Sequence, residues 1–369
     1  MPRMTYPACV PVLTDGDVTL RAHRESDIDG MVEMARDPGF IRWTSIPDPY
    51  GPAQARGFID DIVGPGWERH HHRGWAIEYA GKFAGNIDVR GKGVADVGFG
   101  LHPAARGHGV MARALGLATR WAFDNTEVEI IHWRSRVGNS ASLRTAWSAG
   151  FTLHGTAPGF LYERDRVLDA WTGSIGPDDD GSPRTPWWGS PVLRGSRAHL
   201  RPFQDRDLPR MVEACSDATS RHWLPELPAP YTEATARAYL DSSTWNAATG
   251  TMAFWCVADP ETDLLLGNIA VLRMDNRTLT GEVGYWAHPD ARGRGVMSEA
   301  TTLVVRHALT PVVDGGIGRR RLVLYAGAGN AASNAIALKA GFQHVGTLRN
   351  AERVGDGSYV DLNAYDLLA

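Results

Sequence analysis

The chain repeats itself once, and no other feature constrains its fold as much. LTDGDVTLRAHRESDIDGMVEMARD, from Leu13, is echoed by LRGSRAHLRPFQDRDLPRMVEACSD, from Leu193. PDPYGPAQARGFIDD from Pro47 returns as PAPYTEATARAYLDS from Pro228, and KFAGNIDVR from Lys82 as LLLGNIAVLR from Leu264. ADVGFGLHPAARGHGVMARAL from Ala95 pairs with GEVGYWAHPDARGRGVMSEAT from Gly281. GNSASLRTAWSAGFTLHGT from Gly138 pairs with GNAASNAIALKAGFQHVGT from Gly329. The blocks keep their order at an offset of about 180–190 residues. A period of that length is a duplicated domain, not a solenoid, and 369 residues suit two domains of ordinary size.

The junction is legible as well. Residues 172–191, TGSIGPDDDGSPRTPWWGSP, are rich in Gly, Pro, Ser and Asp and read as an exposed linker between domains at 10–171 and 192–369. Trp187 and Trp188 are out of character for a free linker and are expected to pack on a domain. With 38 basic and 42 acidic side chains the formal net charge is −4, which argues against nucleic acid as the main partner. Cys9, Cys215 and Cys256 are far apart and form no C-x-x-C pair, so neither a disulfide framework nor a zinc site is expected. The first residues lack an apolar signal core, and no stretch approaches the ~20 apolar residues of a membrane span. A soluble, cytoplasmic protein is the expectation.

Each half reads as β-α-α-β-β-β-α-β-α-β, an α/β (α+β) sandwich around a mixed, mostly antiparallel sheet flanked by helices. In the first half, strands are expected at 18–23, 75–79, 82–89, 96–101, 129–135 and 161–171. Helices are expected at 28–35, with Asp27 as N-cap, at 52–62, from Val110 with Ala114, Leu117 and Trp121 on one stripe, and at 140–149. The fourth strand runs through an Arg-Gly-x-Gly loop straight into a helix, in both halves. Glycine allows positive φ and close approach of a ligand, and backbone N–H groups at a helix start attract anions. Arg106, Gly107, His108, Gly109 and Val110, and likewise Arg292, Gly293, Arg294, Gly295 and Val296, are therefore candidates to cradle a pyrophosphate. One such loop by itself would read better as a tight turn. Its recurrence in the same strand-to-helix context favours the anion site.

These residues resemble the GNAT superfamily of N-acetyltransferases, most closely its RimJ/RimL-type branch, over nearly the whole chain, twice. The family pattern [R/Q]-x-x-G-x-[G/A] is met by Arg106 and Arg292 at its first position and by Gly109 and Gly295 at its fourth; Met111 and Met297 stand where Gly or Ala is usual. The resemblance extends to N-x-x-S followed by G-F: Asn139, Ser142 and Gly150-Phe151, then Asn330, Ser333 and Gly341-Phe342. It implies acetyl-CoA or another acyl-CoA as cosubstrate, with no metal. The pantetheine would pair with backbone near Leu101–His102 and Ala287–His288, a backbone N–H there would polarise the thioester carbonyl, and the loops through Met111 and Met297, with Asn139 and Asn330, would hold the rest.

The attacking amine must be neutral, and a lysine-like amine with a pKa of ~10.4 needs a base at pH 7. Glu282 is the first choice; Asp96 stands at the same place in the first half, one methylene shorter. Many relatives protonate the leaving thiolate with a Tyr four residues before the G-F pair, but Ala146 and Ala337 occupy those positions, leaving Ser333 and Ser142 as substitutes or as plain contacts to the CoA. The second half, with Glu282 and Ser298-Glu299-Ala300, keeps more of the RimJ/RimL pattern; the first has Arg113 in place of that second Glu. Trp43, Tyr50, Trp223 and Tyr231 are candidates to wall an acceptor pocket, or to cap the sheet. The histidine run at 69–73 reads as an exposed loop rather than a metal site, and His102 and His288 as strand-end residues. The expected partner is a small-molecule or peptide amine, the protein being a monomer or homodimer. Protein Nα-acetylation and non-catalytic acyl-CoA binding are the competing readings.

Overall fold

The computed structural model describes residues 10–369; Cys9 lies outside the described residues. The chain divides after Arg184 into two compact units. The first holds β1 (Leu13–Asp15), β2 (Val18–Arg21), β3 (His72–Tyr79), β4 (Lys82–Lys92), β5 (Val94–Leu101), β6 (Ile130–Arg136), β7 (Thr152–Glu163) and β8 (Arg166–Ile175). The second holds β9 (Leu193–Arg194), β10 (His199–Arg201), β11 (Ala253–Ala258), β12 (Leu265–Asp275), β13 (Thr280–Ala287), β14 (Arg321–Gly327), β15 (Gln343–Arg353) and β16 (Tyr359–Leu368). The sheet orders are β1-β2-β3-β4-β5-β6-β8-β7 and β9-β10-β11-β12-β13-β14-β16-β15, one topology twice. Every pairing is antiparallel except β5 with β6 and β13 with β14.

Each sheet carries two strands more than expected. The extra ones are the short β1 and the hairpin that ends the domain, where a single strand at 161–171 was expected. The hairpin turn explains the miss: Arg164 (φ 49°) and Asp165 (φ 58°) both take the left-handed conformation that a two-residue turn needs, without the Asn-Gly or Asp-Gly pair that announces it. Asp27 does not cap its helix with its side chain. Its carboxylate instead receives Arg21 through two hydrogen bonds, 2.7 and 2.9 Å, and the Arg24 amide. Arg201 and Asp207 repeat this buried pair.

β8 runs on to Ile175, four residues into the segment read as linker. From Thr185 the chain is fastened to the second unit: Thr185 Oγ1 donates to Ala248 O, Trp188 N to Ala247 O, and Trp188 Nε1 to Gly250 O. Cys215 and Cys256 are free and buried. Among the described residues no helix is long and apolar enough to cross a membrane.

Side chains alternate across each strand, and in the second unit this separates two layers. Val283 packs in a core with Val296, Ala300 and Val304 of the helix Val296–Leu309, with Tyr285 and Ala287 against it. Trp286 packs on the other face, against Leu208, Met211 and Tyr231 of the early helical region.

The two units satisfy the same side-chain amide, half-buried in the first and buried in the second, from different elements. In the first, His23 Nε2 lies 2.7 Å from Asn86 Oδ1, with Phe58 edge-on to its ring. In the second, Phe203 replaces His23, and Tyr239, at the place of Phe58, donates to Asn268 Oδ1 at 3.0 Å. Burial lowers His23 from 6.5 to about 4, against the pull of Asn86. The folded state thus favours the neutral ring. Its contribution is complete above pH 6.5 and is lost as pH falls toward 4, roughly 3 kcal/mol in all. Denaturant titrations at pH 7 and pH 4 should show that loss, and the double variant His23→Phe/Phe58→Tyr, which copies the second unit, should remove most of it.

Candidate active site

In both units the single parallel pair is short. β13 and β14 pair only at Thr280–Arg321, Gly281–Leu322 and Glu282–Val323, and β5 and β6 only at Val94–Ile130, Ala95–Ile131 and Asp96–His132. Beyond Glu282 the two strands have no pairing with each other, so β13 backbone groups facing β14 lack a strand partner there. The result is an open wedge in the middle of a sheet, lined on one side by unpaired peptide groups that an extended chain can bind.

The Arg-Gly-x-Gly loop stands at the mouth of each wedge. Gly293 (φ 71°) and Gly295 (φ 75°) are left-handed, as are Gly107 (φ 83°) and Gly109 (φ 70°). A Cβ built on Gly107, Gly109 or Gly293 would meet no atom within 4 Å, so the loop surface faces open space. Gly295 and Gly109 begin the helices Val296–Leu309 and Val110–Asn125, whose first amides have no acceptor within the helix. Open space, left-handed glycines and free helix amides together fit a pyrophosphate. Val110, Met111, Val296 and Met297 turn their side chains into the core, so the methionines leave the loop amides clear.

The loop arginines are engaged elsewhere. Arg292 Nη2 donates to Asp217 Oδ2 at 2.5 Å and to Ser220 Oγ at 3.1 Å, while Arg106 Nη2 donates to Asp37 Oδ1 at 2.6 Å. Asp37 and Asp217 cap the helices Pro38–Trp43 and Ala218–Trp223, and the guanidinium beside each holds its carboxyl below the usual range. These arginines therefore tie the loop to the early helices. Asn139 and Asn330 cap the helices Ser140–Ser148 and Ala331–Lys339 with their side-chain oxygens, which accept from Ser142 N and Ser333 N. His102 and His288 accept a backbone N–H two residues on, through Nδ1. His288 is buried, with Glu213 and Arg210 on its two ring nitrogens.

A cation at the second loop escaped sequence reasoning. Glu299 accepts the backbone N–H groups of Ser196, Arg197 and Ala198 and the Ser196 hydroxyl. It thereby fixes the β9–β10 turn, and Arg197 reaches the loop, donating to Arg294 O at 3.1 Å. In the first unit Asp17 stands at the place of Arg197 and Arg113 at that of Glu299, joined by a 2.6 Å ion pair. The anion loop of the second unit is flanked by arginine, and that of the first by aspartate. Charge at this position should govern anion affinity. Arg197→Asp is expected to weaken acetyl-CoA binding about tenfold by calorimetry, with the effect fading at high salt.

The candidate catalytic groups fall on both sides of the wedge. Glu282 points away from the layer that holds Val283 and Tyr285; its side chain is 18 % exposed and pairs with the exposed Arg273. Asp96 is more open and lies 3.5 Å from Arg134 of the adjacent strand β6. Burial raises the Glu352 carboxyl, and nearby Glu226 and Glu282 raise it further. Ser333, on the helix Ala331–Lys339, lies in the layer opposite Glu282, its Oγ 3.0 Å from Tyr285 Oη. Ser142 Oγ accepts from Trp133 Nε1 at 3.0 Å.

The candidate pocket aromatics divide. Trp43 lines a cleft of about 400 Å³ with Arg136 and Arg166, and Arg42 stacks over its ring. Trp223 lies against the end of β14, where a Cβ on Gly327 would come within 2.7 Å of its ring. Tyr231 faces no open space; it is 7 % exposed and packs among Leu208, Met211 and Cys215. Tyr50 packs beside Ile28, Met31 and Ile59. Among the described residues no three His, Cys, Asp or Glu side chains are grouped as metal ligands are.

A family model for an acetyltransferase (GNAT) domain matches this chain twice, at residues 17–152 and 197–343. The ribosomal-protein-serine acetyltransferase of Escherichia coli (strain K12) is 34 % identical over 103 residues, 28 % of this chain; the chain spans about half of that relative's length, 54 %. The uncharacterized N-acetyltransferase YoaA of Bacillus subtilis (strain 168) is 26 % identical over 180 residues, 48 % of this chain and 97 % of that protein. Among solved structures, Mycobacterium smegmatis RimJ in complex with CoA-disulfide is 17 % identical with a TM-score of 0.44, covering 50 % of this chain and 90 % of that one.

Proposed function

This chain belongs to the GNAT acetyltransferase family in both halves, and we propose that its second half carries an acyl group from acyl-CoA to the primary amine of a small molecule or peptide by direct attack in a ternary complex. The observation that carries this reading is the wedge between β13 and β14, with Glu282 on one face and Ser333 on the other. An acyl group lying in the wedge would be open to an amine from the Glu282 side and to a hydrogen-bond donor from the Ser333 side.

Bound acyl-CoA supplies the acyl group as an activated thioester. The amides of Gly293 through Met297 hold the pyrophosphate, with Arg197 and Arg294 adding charge. Backbone near Ala287–His288 aligns the pantetheine and polarises the thioester carbonyl. Glu282 takes a proton from the incoming ammonium ion, which frees the nitrogen lone pair, passes it to solvent, and takes the second proton that the nitrogen loses once it has bonded to the carbonyl carbon. Ser333 gives its hydroxyl proton to the sulfur as the C–S bond breaks and regains one from solvent. Glu226 and Glu282 both lie close enough to Glu352 for their charges to act on it, and the three carboxylates would draw in an acceptor that arrives as an ammonium ion. The first half is proposed as the weaker site: its loop is flanked by Asp17, and its Asp96 is tied to Arg134 of the neighbouring strand.

A protein amine is the second reading for the acceptor, favoured by the name of the Escherichia coli relative. Incubating the full chain with acetyl-CoA and a panel of small amines, short peptides and intact proteins that begin with serine, and following free thiol release, tests both. Release with small amines or short peptides supports the first reading, and release with intact proteins alone the second. Failure of every amine in the panel to release thiol, despite measurable CoA binding, would sink both.

A further inference from the structure

The layer behind the wedge contains a contact whose counterpart in the first half is built from different residues. Tyr285 lies on β13 past the last residue paired with β14, and Ser333 on the helix that follows β14. Their side-chain oxygens meet at 3.0 Å, so the contact bridges the open strands. The first half has Phe99 where the second has Tyr285, and Trp133 where the second has Leu324. There the indole of Trp133, on β6, supplies the donor to Ser142 Oγ, also at 3.0 Å. The polar group has changed strands while its serine target has stayed. Pure packing would not demand this, since phenylalanine with leucine would fill an apolar layer without any donor. An indole N–H can only donate, so Ser142 Oγ is the acceptor there and its own proton is left for another partner. The phenol of Tyr285 can play the same part: its one proton has Ser333 Oγ at 3.0 Å and, farther off, the Ser333 carbonyl at 3.4 Å, and burial pushes the phenol up to about 12, which keeps that proton in place at physiological pH.

We propose that Tyr285 is a positioning residue for acyl transfer in the second half: by donating to Ser333 Oγ it turns the serine hydroxyl proton toward the sulfur in the wedge. Trp133 does the same for Ser142 in the first half. The inference rests on the reading of Ser333 as the donor to the leaving group. No proton leaves Tyr285; it holds a hydroxyl in one of its rotamers.

The test is a double-mutant cycle with acetyl-CoA and any acceptor amine that supports thiol release. Tyr285→Phe is expected to lower kcat about tenfold, with KM for acetyl-CoA within twofold of wild type. Ser333→Ala should lower kcat at least as much, and adding Tyr285→Phe to it should change nothing further. Importing the first half's arrangement, Tyr285→Phe/Leu324→Trp, should recover most of the lost kcat. If that variant does not fold, the cycle decides alone. Loss with Ser333→Ala but not with Tyr285→Phe, or two losses that multiply in the double variant, would overturn the inference and leave the role of Ser333 standing. No loss with Ser333→Ala would remove that role and the inference with it.

Discussion

Replacing Glu282 by glutamine should lower kcat/KM about a thousandfold at neutral pH, roughly 4 kcal/mol. Glutamine keeps the length and one hydrogen-bonding oxygen but cannot accept the amine's proton. Its partner Arg273 is 73 % exposed, and an ion pair of that kind contributes little to stability, so the thermal midpoint should hardly move. Raising the pH should rescue the variant in part, because more of the acceptor amine is then already neutral. Wild-type behaviour at every pH would remove Glu282 as the base. The matching change in the first half, Asp96→Asn, is expected to reduce turnover less than twofold; an equal loss from both would end the case for asymmetry.

The second large effect concerns the loops. Gly293→Asp places a β-carbon and a negative charge where the backbone is left-handed and the surrounding space is open. Aspartate tolerates that conformation better than most residues, so folding should survive while a carboxylate faces the pyrophosphate. Affinity for acetyl-CoA at the second half should fall about a hundredfold or more by calorimetry, with turnover at fixed acetyl-CoA falling alongside. Gly107→Asp makes the same change in a loop already flanked by Asp17, and should abolish only a weaker binding event. If Gly107→Asp removed turnover and Gly293→Asp did not, the catalytic half would be the first.

Much of this protein is legible in its sequence because the relevant features are local. The repeat, the strand-to-helix glycine loops and the N-x-x-S helices announce themselves through turn chemistry and spacing, and the family follows from them. The closing hairpin of the first unit was hidden because its turn is built from Arg164 and Asp165, whose left-handed backbone the residue types do not advertise. The loop arginines Arg106 and Arg292 read as anion ligands, yet each is bound to the aspartate that caps an early helix, 69 and 75 residues away. Nothing near either residue signals that partner.

The sequence by itself determined the two domains, most of their order of elements and the family. Only the tertiary structure decided which differences between the halves belong together. Asp17 with Arg113 answers Arg197 with Glu299; His23 with Phe58 answers Phe203 with Tyr239; Phe99 with Trp133 answers Tyr285 with Leu324. Along the chain each is a lone mismatch in a repeat. A polar group shielded from water must find a partner, but the physics of that demand is indifferent to which strand or helix supplies it. The supplier can therefore move between elements far apart in sequence, and in the amide and serine exchanges only the folded chain brings each supplier within 3 Å or so of the target that both halves keep.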